Sequence, residues 1–179
     1  MTIEGFDEDL RAAPTRVGTV RLIVRRPAVD EREVVSEARL DVDEGLVGDT
    51  WRVRGSSSTA DGSAHPEAQV TVMSARAAAA IAGDVERWPL AGDQLYVDLD
   101  ISEENLPAGT RLQIGEAEIE VSAKPHTGCA KFSARFGKDA LRLVGSPTGR
   151  ALRLRGMNAR VTMSGTVRVG DRIEVAVPA

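Results

Sequence analysis

The chain has one cysteine, Cys129, and two histidines, His65 and His126, in 179 residues. A single cysteine forms no internal disulfide, so a reducing, cytoplasmic setting is expected. Cys and His this sparse also give no zinc-type ligand spacing. Aromatic residues make up only 3% of the chain, so the core has to be built from Val, Leu, Ile and Ala. No apolar run approaches the roughly 20 residues that span a bilayer, and no membrane association is expected. The opening "MTIEGFDEDL" is acidic and lacks the basic and apolar regions of a secretory signal. There is no run of consecutive basic residues, and aromatics that would stack on bases are few, which argues against a nucleic-acid partner.

The charge that is present is unevenly placed. Between Lys124 and Arg160 nine basic residues face one acidic residue, Asp139, so this segment is cationic in a chain whose net charge is −4. A small anion is the partner such a segment fits.

Short runs rich in β-branched and aliphatic residues dominate the pattern. Residues 18–27, 68–74 and 93–100 read as strands, and 31–42 as a weaker partner strand. Residues 110–122 read as a hairpin turning at Gly115-Glu116. Residues 158–177 read as two or three strands with turns at Ser164-Gly165 and Gly170-Asp171. Alanine-rich 75–83 predicts a short helix ending at Gly83. Two more short helices are predicted over 138–145 and 148–156. The Ser/Gly-rich stretch 53–67 reads as a mobile surface loop. Many short strands, few helices and no dividing linker predict one mainly β domain over 1–179. Its expected architecture is a closed or nearly closed β-barrel with a few short appended helices.

The candidate site is "KPHTGCAKFSARFG", residues 124–137. Read from residues alone, Cys129 is either a small buried hydrophobe or a reactive thiol. Lys124, His126, Lys131 and Arg135 favour the second, because cationic neighbours favour the thiolate that does the chemistry. Pro125 and Gly128 point to a turn that exposes side chains. His126 has the type to orient an anion or exchange a proton near neutral pH; it also reads as a plain loop imidazole, as does His65. Gly48-Asp49 and Gly170-Asp171 are ordinary turn dipeptides. Asn105 either binds a ligand or satisfies a bend before Pro107. Arg150, Arg153, Arg155 and Arg160 form an anion patch or lie on solvated helix faces.

Five segments in this order resemble the MOSC domain, the C-terminal domain of molybdenum cofactor sulfurases. They are "GLVGD" (45–49), "QVTVMS" (69–74), "DLDISEENLPAGTRLQIGEAEIEVS" (98–122), the cysteine segment (124–137) and "RGMNARVTMSGTVRVGDRIEV" (155–175). The resemblance covers about 16–175, leaves 1–15 as an extension, and is to stand-alone, bacterial-type members. It implies a β-barrel with one characteristic cysteine at the position of Cys129. That cysteine is proposed in the family to carry sulfur as a persulfide, or to ligate molybdenum in members that hold molybdenum cofactor. The function so implied is that of a sulfur carrier or sulfurtransferase linked to molybdenum cofactor metabolism. Cys129 and His126 would be its catalytic residues, and Lys124, Lys131, Arg135, Asn105 and Arg160 would bind the anion or cofactor. One alternative is a molybdenum-cofactor oxidoreductase that reduces N-hydroxylated compounds, with Cys129 as metal ligand and the pterin phosphate in the basic segment. The other is a non-catalytic binding module with a structural Cys129. Pyridoxal phosphate is not expected on this chain; its role would be indirect, through a separate cysteine desulfurase that donates sulfur. The chain departs from the family where Thr50-Trp51 follows Gly48-Asp49 in place of a basic residue and histidine. It departs again where Glu103, not arginine, precedes Glu104-Asn105.

Overall fold

In the computed structural model, which describes residues 7–176, seven strands close a mixed β-barrel and an eighth extends it. In chain order the larger sheet uses β1 (Val17–Arg25), β2 (Glu33–Val35), β5 (Val70–Ser74), β6 (Leu95–Asp98), β7 (Arg111–Ile114), β8 (Ala117–Val121), β9 (Met157–Met163) and β11 (Arg172–Val175). The ring runs β1-β11-β7-β8-β9-β5-β6 and returns to β1, while β2 pairs only along the far end of β1. Every contact in the ring is antiparallel except β5–β6. A small second sheet is formed by β3 (Glu37–Asp41), β4 (Gly45–Leu46) and β10 (Gly165–Arg168).

Side-chain alternation explains how the barrel fills and what lies outside it. Val70, Val72, Leu95 and Val97 belong to the interior cluster, with Ile119, Ala159 and Ile173 among their partners. Met73 and Tyr96 point the other way, into a second cluster built by the helices. That is why all of β5 is buried: both of its faces are covered. The outer layer comprises α3 (Ala75–Ala82), a 3₁₀ segment (Val85–Ala91) and α4 (Ala130–Gly145). Ser74 caps α3 by accepting from the Ala77 N–H, and Gly83 ends it.

Strands 18–27, 68–74 and 93–100, the hairpin at Gly115-Glu116 and the helix after Ser74 are found as expected. Other features are found with differences. The run 31–42 is two strands, because the chain leaves the barrel at Ser36: β2 pairs with β1 and β3 with β10. Three strands with the turns expected near Ser164 and Gly170 are found, and those turns are corners between sheets, since β10 pairs with neither β9 nor β11. The helix expected over 138–145 is present as the second part of α4, after a break at Gly137, whose φ of 90° leaves the helical path; the first part, from Ala130, is unexpected. The next helix, α5 (Pro147–Ala151), stops early because Arg153 adopts a φ of 47°. A short helix, α2 (Trp51–Arg54), precedes the Ser/Gly-rich loop, which is tied back by Trp51 Nε1 donating to the His65 carbonyl at 3.2 Å. Two short helices complete the set, α1 (Asp7–Arg11) and a 3₁₀ turn (Pro66–Ala68) whose first N–H groups include one bonded to His65 Nδ1. No helix among the described residues is long and apolar enough to cross a membrane.

Candidate functional site

β8 ends at Val121, and an irregular loop carries the chain to α4. Asn158 on β9 holds that loop by donating from Nδ2 to the carbonyls of Lys124 (3.1 Å) and Pro125 (3.2 Å). Cys129 is the last extended residue before α4, with φ −126° and ψ 177°, and its side chain makes no capping bond. The thiol is exposed. One turn on, Phe132 is buried, packs at a tilt against Phe136 with ring centroids 5.0 Å apart and supports the Arg155 guanidinium 5.0 Å from its ring centroid. The start of α4 is thus pinned by an aromatic anchor while the cysteine stays on the surface.

Cys129 opens on a pocket of about 260 Å³ whose lining includes Arg26, Arg32, Arg54, Lys131, Arg135 and Arg155, and no Asp or Glu. Carboxylates stand behind this cationic wall and position it. Asp49, its side chain fully buried, receives Arg26 Nε at 2.7 Å and Nη2 at 2.8 Å. Asp93, also fully buried, receives Arg155 Nη1 at 2.5 Å, and the Ala91 carbonyl takes Nη2 at 2.9 Å. Exposed Asp30 bridges Lys131 (2.8 Å) and Arg135 (3.2 Å). Arg32 donates only to the carbonyls of Pro89 and Glu31, and Arg54 forms no ion pair among the described residues. Both have pKa values held below the usual guanidinium value. Burial is the first cause for each; Arg135 and then Arg26 add to it at Arg32, and Arg26 at Arg54. Like charges converge here with too few counter-charges. Such an arrangement is relieved by an anion.

His126 occupies a different electrostatic position from the one its type implies. Its side chain is 14% exposed, and its pKa is lowered to about 4. Burial is the main cause and the Arg155 charge the next; Asp93 opposes them. The imidazole is therefore neutral near pH 7, and the positive charge around the thiol comes from arginine and lysine. Its Nδ1 lies 3.5 Å from Asp93 Oδ1 without a hydrogen bond, and both atoms are buried without a partner.

The structure brings Cys129, His126, Lys131 and Arg135 to one pocket. Lys124 lines an adjoining, larger cavity and donates to Ser58 Oγ. Asn105 and Arg160 lie elsewhere. The Asn105 amide ties the Thr15 and Asp100 carbonyls together, at 2.9 and 2.7 Å, which is a structural duty. Arg160 pairs with Glu120 on the outside of β8–β9 at 2.8 Å. Of the arginines read as a patch, Arg155 is a buried, paired member of the pocket wall. Arg26, Arg32 and Arg54 are the residues that sequence reading missed. They sit far upstream of the cysteine, in segments with no local signature, and only barrel closure brings them to it. Asp49, read as a turn residue, is the anchor of Arg26.

The family model for the MOSC domain matches residues 59–174. No curated protein sequence matches significantly. Among solved structures, the YuaD protein from Bacillus subtilis is similar with a TM-score of 0.68 at 16% identity, over 91% of this chain and 97% of that one. YiiM from Escherichia coli gives a TM-score of 0.59 at 22% identity, over 90% and 71% of the two chains. YiiM from Geobacillus stearothermophilus gives 0.55 at 12%, over 92% and 75%. At these identities the likeness is one of fold.

Proposed function

Because the chain belongs to the MOSC domain family, we propose that it is a sulfur-carrying protein whose Cys129 accepts a sulfane sulfur as a persulfide. One observation supports this above the rest. The only thiol of the chain is exposed on a pocket lined by six arginine and lysine side chains and no carboxylate. An anionic sulfur donor is the molecule these charges favour, and a thiolate is the nucleophile it needs.

With thiosulfate as donor, the Cys129 thiolate attacks the outer, sulfane sulfur. A new S–S bond forms at Cys129 as the S–S bond of thiosulfate breaks, and sulfite leaves with the bonding electron pair. An acceptor nucleophile then attacks the outer sulfur of the persulfide, and Cys129 departs as thiolate, restored. Arg32 and Arg54 face the donor dianion and the leaving sulfite. Arg26 and Arg155, fixed by Asp49 and Asp93, supply a positive wall that does not reorganise during the step. A protein-borne persulfide on a cysteine desulfurase is the other donor of the same class, and pyridoxal phosphate would belong to that partner.

Molybdenum cofactor is the second reading, and the residues present fit it. Cys129 is a soft, exposed ligand for the metal, and Arg32, Arg54 and Arg135 would hold the phosphate. When bound, the cofactor would supply two-electron oxygen-atom chemistry of the kind used on N-hydroxylated compounds. The molybdenum content of the purified protein separates this reading from the first.

The test is intact-mass spectrometry after treatment with thiosulfate and, separately, with a cysteine desulfurase and free cysteine. The expected result is gain of one sulfur atom, removable by dithiothreitol and absent in Cys129→Ala. No adduct from either donor overturns the proposal.

A further inference from the structure

Behind the loop that carries Cys129 lies a larger cavity of about 570 Å³, within the size range of small-molecule sites. It shares His126, Thr127 and Arg155 with the thiol pocket, and Gly128, the residue before Cys129, is part of its wall. One side is apolar: Leu141 and Val144 of α4, and Met157 at the start of β9. The charged lining is Lys124, Arg150, Arg153 and Arg155 against Glu103 alone, so the cavity is net cationic. Arg150 makes no ion pair among the described residues.

Two polar residues of the cavity wall keep an atom unpaired. Ser122, 9% exposed, and Arg155, 7% exposed, both line it, and Ser122 Oγ and Arg155 Nε are buried with no hydrogen-bond partner. Buried polar groups are normally satisfied, and leaving one unpaired is unfavourable. A second feature is Gly145, on the last turn of α4. Gly145 is exposed, and a Cβ built there meets nothing within 4 Å, so a larger side chain fits at this point of the wall without a clash.

We propose that this cavity is a second binding site, which takes an organic anion with a ring-sized apolar body. The body lies against Leu141, Val144 and Met157, and the anionic group meets Arg150 and Lys124. The site is separate from the arginine cluster that faces the thiol, but it abuts that cluster through Arg155 and the His126–Gly128 loop. That the cavity binds such an anion is independent of the sulfur-carrier reading.

The probe is anilinonaphthalene sulfonate, a fluorescent aromatic sulfonate of this class, titrated into the folded chain. Saturable, one-site binding is expected. Gly145→Leu, which adds a large side chain to the wall at a position with ordinary backbone angles, should weaken it. Arg150→Glu, at an exposed position, should weaken it by about tenfold or more through loss of a charge-assisted contact. Arg142→Glu, an equal charge change on α4 outside the cavity lining, should leave it unchanged. Unsaturable binding overturns the proposal. So does unaltered affinity in Arg150→Glu, or in Gly145→Leu with wild-type melting. A chain that binds the probe but forms no persulfide overturns the sulfur-carrier reading alone.

Discussion

Asp49→Ala is the perturbation that most sharply probes how the pocket is built. Asp49 accepts four hydrogen bonds: from the Arg26 N–H at 3.0 Å, Arg26 Nε at 2.7 Å, Arg26 Nη2 at 2.8 Å and the Trp51 N–H at 2.9 Å. Its side chain is fully buried and that of Arg26 only 8% exposed. Removing the carboxylate leaves a buried guanidinium and two backbone donors without their acceptor. Breaking a buried pair from one side destabilises by about 3–5 kcal/mol. For a chain of this length each kcal/mol corresponds to about 2–4 °C, so the melting temperature should fall by about 6–20 °C. Urea unfolding should give the same ordering, with Asp49→Asn between the alanine variant and wild type. Adding Arg26→Met to Asp49→Ala should recover part of the loss, because the unpaired charge is removed with it. An Asp49→Ala chain within about 1 kcal/mol of wild type would mean that Asp49 does not anchor a buried Arg26, since that is the behaviour of an ordinary surface position.

The remaining predictions concern charge. His126 titrates at about 4 in the folded chain and near 6.5 when unfolded, so the unfolded state takes up the proton first as pH falls. Its contribution is fully present above pH 6.5 and is lost between 6.5 and 4, by about 3 kcal/mol; in His126→Gln the fall of unfolding free energy across that window should be correspondingly shallower. Arg54→Ala should slow sulfur uptake from thiosulfate more than alkylation by neutral iodoacetamide, since the charge favours the thiolate for both reagents but attracts only the anionic one. Equal slowing of both reactions would mean that Arg54 acts on the thiol and not on the donor.

Local patterns in the sequence carried the elements whose partners are near in the chain. The hairpin at Gly115-Glu116 and the passage from β5 into α3 at Ser74 depend on alternation, turn residues and capping, all legible in a few residues. The branch at Ser36 depends on β3 finding β10, a pairing across most of the chain, so no local signal announces it. The same holds for the site. The thiol and its immediate basic neighbours were legible because they are contiguous. Arg26, Arg32 and Arg54 reach the thiol only through the closed ring of strands. His126 was legible by type and not by state, because its pKa is set by burial and by Arg155, neither of which the sequence displays.

The most direct test of a cationic pocket around an exposed Cys129 compares two alkylating reagents of similar size, anionic iodoacetate and neutral iodoacetamide. The single cysteine makes total labelling a readout of that one position. The iodoacetate-to-iodoacetamide rate ratio should be higher in the native chain than in the urea-unfolded chain, and salt should lower it. A native ratio equal to the unfolded one, or labelling that requires unfolding, would contradict a cationic pocket around an exposed thiol.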